Sequence, residues 1–363
     1  MRGRPRALVY RPGSLGDTLV SLPAVAEIRR QYPEHRLTLL TESPVADSAR
    51  VSPWTILKET GWFEDAFFYI VRPVSVADRY RNLALALRLR AIGFRDIFSL
   101  APPRTTRQLR IDASIFRGVL GARRYHAARR PAWPVPADVN PALVEHEGLR
   151  LLRIVNSGAT DDDLRDFRLE VPESDRATSR GVLNGLGVRP DQLLVGVGPG
   201  SARSATTWPA ERFAVVGTAL LRQFENIVLL AIGGDGERPL CEQLCAAWGP
   251  RSHNLAGRLS VFGSASVLAE CATFIGNDSG PTHLAAMVGI PCVAIFSARN
   301  APGQWDPLGR HHVVIEDRPD CAGCMLDDCV HEAKKCLTRI DPGRVVREAV
   351  SLIESRGRPW PAH

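Results

Sequence analysis

The sequence predicts an α/β protein made of two doubly wound, parallel-sheet domains. Three observations predict it. Short apolar runs of strand length alternate with longer helical stretches along most of the 363 residues. The alternation lapses across residues 156–192 and then restarts. In each half, glycine-containing loops follow a strand and open a helix, as they do where parallel strands turn into crossover helices. At about 150 residues per domain the length also suits two domains.

The elements follow in order. Ala7–Tyr10 is a short buried strand, and the loop Arg11-Pro-Gly-Ser-Leu-Gly-Asp17 leads into a helical stretch ending near Tyr32-Pro33. Leu37–Thr41, Ala66–Val71 and Ile97–Leu100 are further strands. Arg79–Ile92 is a helix with leucines at 83, 85, 87 and 89 among arginines. Residues 101–150 are rich in Arg and Pro and give no clear assignment. Residues 156–192 contain Asp161-Asp-Asp163 with several Gly and Pro, and are expected to connect the domains. The pattern resumes with a strand at Leu193–Val197, a helix at Pro209–Phe224 with Pro209 in its first turn, a strand at Asn226–Ile232 and a helix at Gly236–Trp248. A helix at Val261–Ala272, a strand at Thr273–Gly276, a helix at Gly280–Gly289, a strand at Cys292–Phe296 and a closing helix at Val345–Ser355 complete it. The expected limits are 1–172, 190–341, and 342–363 for the closing helix and tail, with a cleft between the two domains.

Composition narrows the chemistry. With 45% apolar and 23% charged residues the chain is globular rather than disordered. The formal net charge is +7, and only Lys58, Lys334 and Lys335 are lysines, so 43 of the 46 basic residues are arginines. Catalysis by a deprotonated lysine is nearly excluded, and the positive groups are planar forks suited to phosphate and carboxylate. Codon bias is the plain explanation of most of the excess. No run approaches the roughly 18 apolar residues of a membrane span. Ala7–Tyr10 is too short for a signal-peptide core. The expected location is the cytoplasm, with cysteines reduced and with basic residues able to hold the chain at an anionic membrane surface.

The loops carry the candidate sites. Gly13-Ser14-Leu-Gly16-Asp17 is neither a dinucleotide fingerprint nor a Walker loop. Asp17 is either a helix cap or a carboxylate available as a base, and one residue can be both. Gly196-Val-Gly198-Pro-Gly200-Ser201 with Arg203 and Thr206 repeats the logic, offering hydroxyls and a cation to phosphate oxygens. Glu237, in the loop Gly233-Gly-Asp-Gly-Glu237, could receive a ribose hydroxyl. The sharpest local signal is Gly276-Asn-Asp278-Ser279-Gly280-Pro-Thr-His283, where a strand passes into a helix whose free amides can face an anion. Cys321, Cys324, Cys329 and Cys336 are spaced C-x2-C-x4-C-x6-C, with His331 nearby. Four thiolates can hold zinc, but a single C-x2-C knuckle leaves a local disulfide-capable knot equally open. Cys241, Cys245, Cys271 and Cys292 lie in apolar settings and are expected to fill the core.

Three of these motifs together are similar to one family. Arg11-Pro-Gly-Ser-Leu-Gly-Asp-Thr-Leu-Val-Ser-Leu-Pro-Ala24, Trp208-Pro-Ala-Glu-Arg-Phe213 and Gly276-Asn-Asp-Ser-Gly-Pro-Thr-His283 resemble the ADP-heptose:lipopolysaccharide heptosyltransferases, glycosyltransferase family 9. The likeness runs from about residue 6 to 350. The cysteine spacing looks like that of the second inner-core heptosyltransferase. The resemblance implies a GT-B fold of two Rossmann-like domains, with a lipid-linked, anionic glycan acceptor on the first and a nucleotide-sugar donor on the second. It implies inversion with no metal. No cofactor is expected, the expected location is the cytoplasm with the inner membrane surface as a partner, and without a helix-turn-helix or aromatic-basic interleaving no nucleic-acid partner is expected. Asp17 falls on the family's general base. Ser201, Arg203, Thr206, Glu237, Asp278, Ser279, Gly280 and His283 fall on the donor side. Gly13, Ser14, Arg104, Arg107, His146 and Arg150 fall on the acceptor side. One position departs from the pattern: where the family often has a Lys two residues before Trp-Pro, this chain has Thr206, and Arg203 is the expected replacement. Other readings to be weighed are a GT-B transferase with another donor, a sugar-nucleotide epimerase, a zinc-stabilised module, and a basic membrane- or nucleic-acid-binding protein.

Overall fold

A computed structural model of the protein describes residues 4–44, 51–128, 144–330 and 332–355. The chain divides into two compact units between Leu164 and Arg165. The first contains β1 (Arg6–Tyr10), α1 (Leu15–Gln31), β2 (Arg36–Glu42), α2 (Pro53–Leu57), β3 (Phe63–Tyr69), α3 (Val76–Ile92), β4 (Asp96–Ser99), α4 (Thr106–Ala113), β5 (Arg124–His126), α5 (Glu147–Val155) and, at the boundary, α6 (Asp161–Arg165). α4 runs on as a π-helical turn, Ser114–Val119. The sheet order is β3-β2-β1-β4-β5, and its pairings are parallel. Both neighbours of β1 cover it, so Ala7, Leu8 and Val9 are fully buried. α1 packs on α5, and its Leu19, Leu22 and Val25 are buried.

The second unit contains α7 (Glu173–Gly185), β6 (Leu193–Gly198), α8 (Ala210–Gln223), β7 (Ile227–Ala231), α9 (Arg238–Trp248), β8 (Ser252–Asn254), α10 (Val261–Ala269), β9 (Cys271–Asn277), α11 (Gly280–Met287), β10 (Cys292–Ser297), β11 (Val313–Asp317), α12 (Lys335–Thr338) and α13 (Pro342–Ser355). Its sheet order is β11-β10-β9-β6-β7-β8, again parallel. α7 lies in the stretch expected as a connection, but it packs on α10. The closing helix α13 lies against α8 and β9, so it covers the second sheet rather than trailing from it. The fold is the α/β class expected, with two doubly wound sheets. β5, β8 and β11 carried no strand signal. They are short or half-exposed, and apolar patterning is weakest at such edges. No described helix is long and apolar enough to cross a membrane.

Much of the Trp208–Phe213 motif is an anchor. The Trp208 ring is fully buried, donates from Nε1 to the Leu337 carbonyl at 3.1 Å, and meets Phe213 edge-on at 5.1 Å. A second packing device lies in the centre of the second sheet. Phe274 of β9 is fully buried, and its ring lies against Gly196 and Gly198 of β6 and Gly276 of β9. A Cβ at Gly198 would fall 2.6 Å from Phe274 Cζ. Two glycines read as a phosphate-loop signal therefore belong to the strand and make room for a ring.

Gly198→Ala is expected to cost about 1–3 kcal/mol by overpacking. Phe274→Leu removes the atom in the way, so the two changes together should cost clearly less than their sum. Urea denaturation midpoints at constant slope measure both, and simple additivity would reject the packing account.

Candidate functional site

In an open parallel sheet, ligands bind beyond the carboxyl ends of the strands, where the strand order reverses. In the first unit that point lies between β1 and β4, and in the second between β6 and β9. The candidate residues gather at both.

In the first unit the β1–α1 turn is built around Asp17. Ser14 caps α1, donating from its backbone N–H at 2.8 Å and from its hydroxyl at 2.7 Å to Asp17 Oδ2. Gly13 has φ +126°, and an added Cβ would sit 2.6 Å from Asp17 Cβ, so only glycine fits the turn as it stands. The cap role of Asp17 is thus present, and the carboxylate still exposes 21% of its side chain. Beneath it lies Arg11, which is fully buried. Its Nη1 donates to the Leu100 carbonyl at 2.6 Å, and its Nη2 donates to the Asp17 carbonyl and stands 3.8 Å from Asp17 Oδ1. Burial pulls the Arg11 pKa down, against the pull of Asp17 and Glu147. Sequence reading quoted Arg11 within the motif but gave it no role.

Two of the acceptor-side residues also have partners within the fold here. Arg150 clamps the fully buried Glu147 through two bonds of 2.6 Å and donates to the Ala101 carbonyl at 2.7 Å. Its Nε and Nη2 tie α5 to the segment just after β4. His146 caps α5, its Nδ1 accepting from the Gly148 N–H at 2.9 Å. Both thus help to hold α5 in place. Arg107 lies exposed in the first turn of α4. Arg104 is held between the Tyr10 hydroxyl at 3.2 Å and Asp112 at 3.3 Å. Tyr10 and Tyr69 share a hydrogen bond of 3.0 Å, and burial raises the pKa of both and that of Asp112.

In the second unit Asn277 ties the two loops of the switch point together. Its amide donates to the Pro199 carbonyl at 2.7 Å and its oxygen accepts from the Trp208 N–H at 3.0 Å. α11 then begins at Gly280 with Ser279 as its cap residue, and the Ser279 hydroxyl is buried with no hydrogen-bond partner among the described residues. Asp278 accepts from Asn300 at 3.5 Å and stands 3.9 Å from the nearly buried His283. Glu237 reaches back to the Gly234 N–H at 2.7 Å and lies where a Cβ at Gly200 would be, with burial raising its pKa.

The lysine question resolves into geometry. Thr206 is 1% exposed, and its hydroxyl is paired with that of Ser201 at 2.6 Å, closing its own loop. Arg203 is bound to Asp327 at 2.7 Å. Sequence reading missed a second cation, Arg299, which is 8% exposed and meets the same Asp327 at 3.1 Å. Arg299 also donates to the Leu326 and Met325 carbonyls, and Asp278 is within its electrostatic reach. The cysteine loop is what supports it. Among the described residues no group of three or more Cys, His, Asp or Glu is placed to hold a metal, so the possible zinc site at Cys321, Cys324, Cys329 and Cys336 is not assembled. The cysteines are free thiols, and His331 lies outside the described residues. Cys241, Cys271 and Cys292 are core residues, while Cys245 is half-buried.

Near Asp278, a small recess is lined by Ser297, Asn300, Trp305, Asp306 and Glu316. Burial first, then Asp306 and Asp278, push the Glu316 carboxyl from 4.5 up to about 7 despite its bond to Arg318 at 2.7 Å. The folded chain therefore holds a proton there that the unfolded chain has already lost. Stability should fall as pH rises from about 4.5 through about 7. Glu316→Gln removes this dependence, so its melting temperature relative to wild type should improve between pH 5 and 8. A difference that stays constant with pH would overturn the assignment.

The profile of glycosyltransferase family 9 (heptosyltransferase) matches residues 113–335. The chain is 27% identical over 227 residues to lipooligosaccharide heptosyltransferase 2 of Campylobacter jejuni, covering 60% of this chain and 67% of that protein. Two solved structures share the fold. The family 9 glycosyl transferase of Veillonella parvula has a TM-score of 0.71 at 18% identity, over 97% of each chain. The ADP-heptose lps heptosyltransferase II of Escherichia coli has a TM-score of 0.68 at 17% identity, over 97% of this chain and 100% of the other. With two parallel α/β sheets of GT-B type and a family profile over more than half its length, the chain belongs to glycosyltransferase family 9 and is a glycosyltransferase.

Proposed function

We propose that the protein transfers a heptose, or a closely related sugar, from an ADP-sugar to a lipid-linked, anionic glycan of the lipopolysaccharide-core kind, with inversion. The observation that carries this reading is the Asp17 carboxylate. It is fixed by Ser14 at the switch point of its sheet, backed by a buried arginine, and still open to solvent. The family and the printed activities of its relatives supply the substrate class.

In this reading Asp17 takes the proton of the attacking hydroxyl. The acceptor oxygen forms its bond to the anomeric carbon as the bond from that carbon to the diphosphate oxygen breaks, and the electron pair leaves with ADP. The negative charge that develops on the diphosphate is met by preorganised donors. These are the first amides of α11, the buried Ser279 hydroxyl and the Arg299 guanidinium. Asp278 and His283 orient this end, and Glu237 is placed for a ribose hydroxyl. Arg104 and Arg107, beyond the strand ends of the first unit, serve an anionic acceptor.

Asp17→Asn keeps the shape and the Ser14 contacts but cannot take a proton. Transfer should fall by about 10²–10⁴-fold while the thermal stabilisation by ADP is retained. Turnover near the wild-type rate rejects Asp17 as the base. On the donor side, Arg299→Met should reduce the stabilisation by ADP more than Arg203→Met does. The opposite order would return the phosphate contact to Arg203.

A further inference from the structure

α3 has two apolar faces where a helix on a globular domain needs one. Leu85, Leu89 and Ile92 turn inward and pack on the core of the first unit with Phe94 and Ile97. On the opposite side Val76, Tyr80, Leu83 and Leu87 are exposed by 68%, 68%, 54% and 59%. Their spacing of four, three and four places them within about 60° of arc at about 100° per residue. Ala77, Ala84 and Ala91 widen the same side. Arginines edge this face on both flanks, with Arg79 and Arg90 on one and Arg81 and Arg88 on the other. Asp78 is the helix's single carboxylate and pairs with Arg81. The loop before the helix adds Val71 and Val74, exposed by 53% and 90%, around Arg72.

The band continues beyond α3. Arg90 donates to the Gly118 and Val119 carbonyls, bringing the π turn after α4 beside the end of α3. There Ile111, Ile115 and Val119 repeat every four residues and are 47%, 42% and 47% exposed. Arg110 and Arg117 are exposed beside them.

We infer that this face docks the protein on the surface of an anionic phospholipid bilayer, α3 lying in the interface with its apolar stripe among the acyl chains and its arginines at the headgroup phosphates. Charge complementarity selects the occupant. A second copy laid on this face would set arginine rim against arginine rim. A nucleic acid would satisfy the arginines and leave the apolar stripe in water. A bilayer of acidic lipids satisfies both, since apolar burial and cationic attraction add at its surface. The inference deepens the proposed function, because a lipid-linked acceptor lies in such a surface, but binding to vesicles is measured without any transfer and can fail independently of it.

The test is co-sedimentation of the full chain with vesicles of phosphatidylcholine containing 30% phosphatidylglycerol, beside pure phosphatidylcholine vesicles. Binding should be at least tenfold tighter to the anionic vesicles and weaken with salt. Tyr80→Gln, Leu83→Gln and Leu87→Gln in one chain change only exposed positions, so folding should be kept, as circular dichroism checks, and binding should fall at least tenfold. Arg79→Gln with Arg88→Gln should abolish the preference for anionic vesicles. Wild type left in the supernatant, or a triple variant that binds as wild type does, overturns the inference. So does a wild-type dimer in solution that the triple variant loses, which would assign the face to a second copy.

Discussion

The first unit is organised around a guanidinium that never meets water. Burying a charge is costly unless it is paired and hydrogen-bonded, and breaking such a pair costs about 3–5 kcal/mol. Arg11 offsets part of the penalty by bridging the ends of β1 and β4 to the first turn of α1, with Glu147 and Arg150 adding a second buried pair behind it. The Ser14 cap and the Gly13 backbone then need only fix the Asp17 carboxylate in one orientation. The carboxylate is thus held by electrostatics from below and by a turn from above. α5 is drawn into the same network through Glu147, which explains why it packs on α1, the helix that Asp17 opens.

The second unit solves its problem differently. There the site rests on loops that hold one another. Asn277 joins the end of β9 to Pro199 and Trp208, Glu237 fills the space left at Gly200, and the cysteine loop holds Arg299 and Arg203 through Asp327. The hydroxyl left over, Ser279, stands at a helix start where an anion would complete its bonding.

The sequence showed the parts of this that follow from periodicity and from glycine turns. Apart from β5, β8 and β11, the strands of both sheets, the β1–α1 turn and the start of α11 were legible because each is signalled within a few residues. What was not legible depends on partners far apart in the chain. Arg11 and Leu100 are separated by 89 positions, and Ala101 and Arg150 by 49. Nothing local distinguishes Arg150, a structural clamp, from an arginine that waits for an acceptor. The i, i+3 spacing of Glu147 and Arg150 was the one available hint. Residues 101–128 resisted assignment because a π turn and a three-residue edge strand have no regular apolar period. The cysteine spacing gave no hint of a different task, since the same loop grips an arginine through backbone carbonyls and Asp327.

The scarcity of lysine acquires a physical meaning at that arginine. Burial pulls the Arg299 pKa down, and the neighbouring Arg203 adds to the pull. A lysine under the same desolvation starts about two units or more lower and is far readier to lose its proton. An arginine stays charged, and its five donors can be divided among several fixed acceptors. Arg299 uses two backbone carbonyls and a carboxylate for support, which fixes the plane of the fork. In the proposed donor-side role, the guanidinium in the loop after β10 is therefore held in one plane, where a lysine would be a mobile point charge. A fixed cation needs a buttress, and the cysteine loop is the segment that provides it.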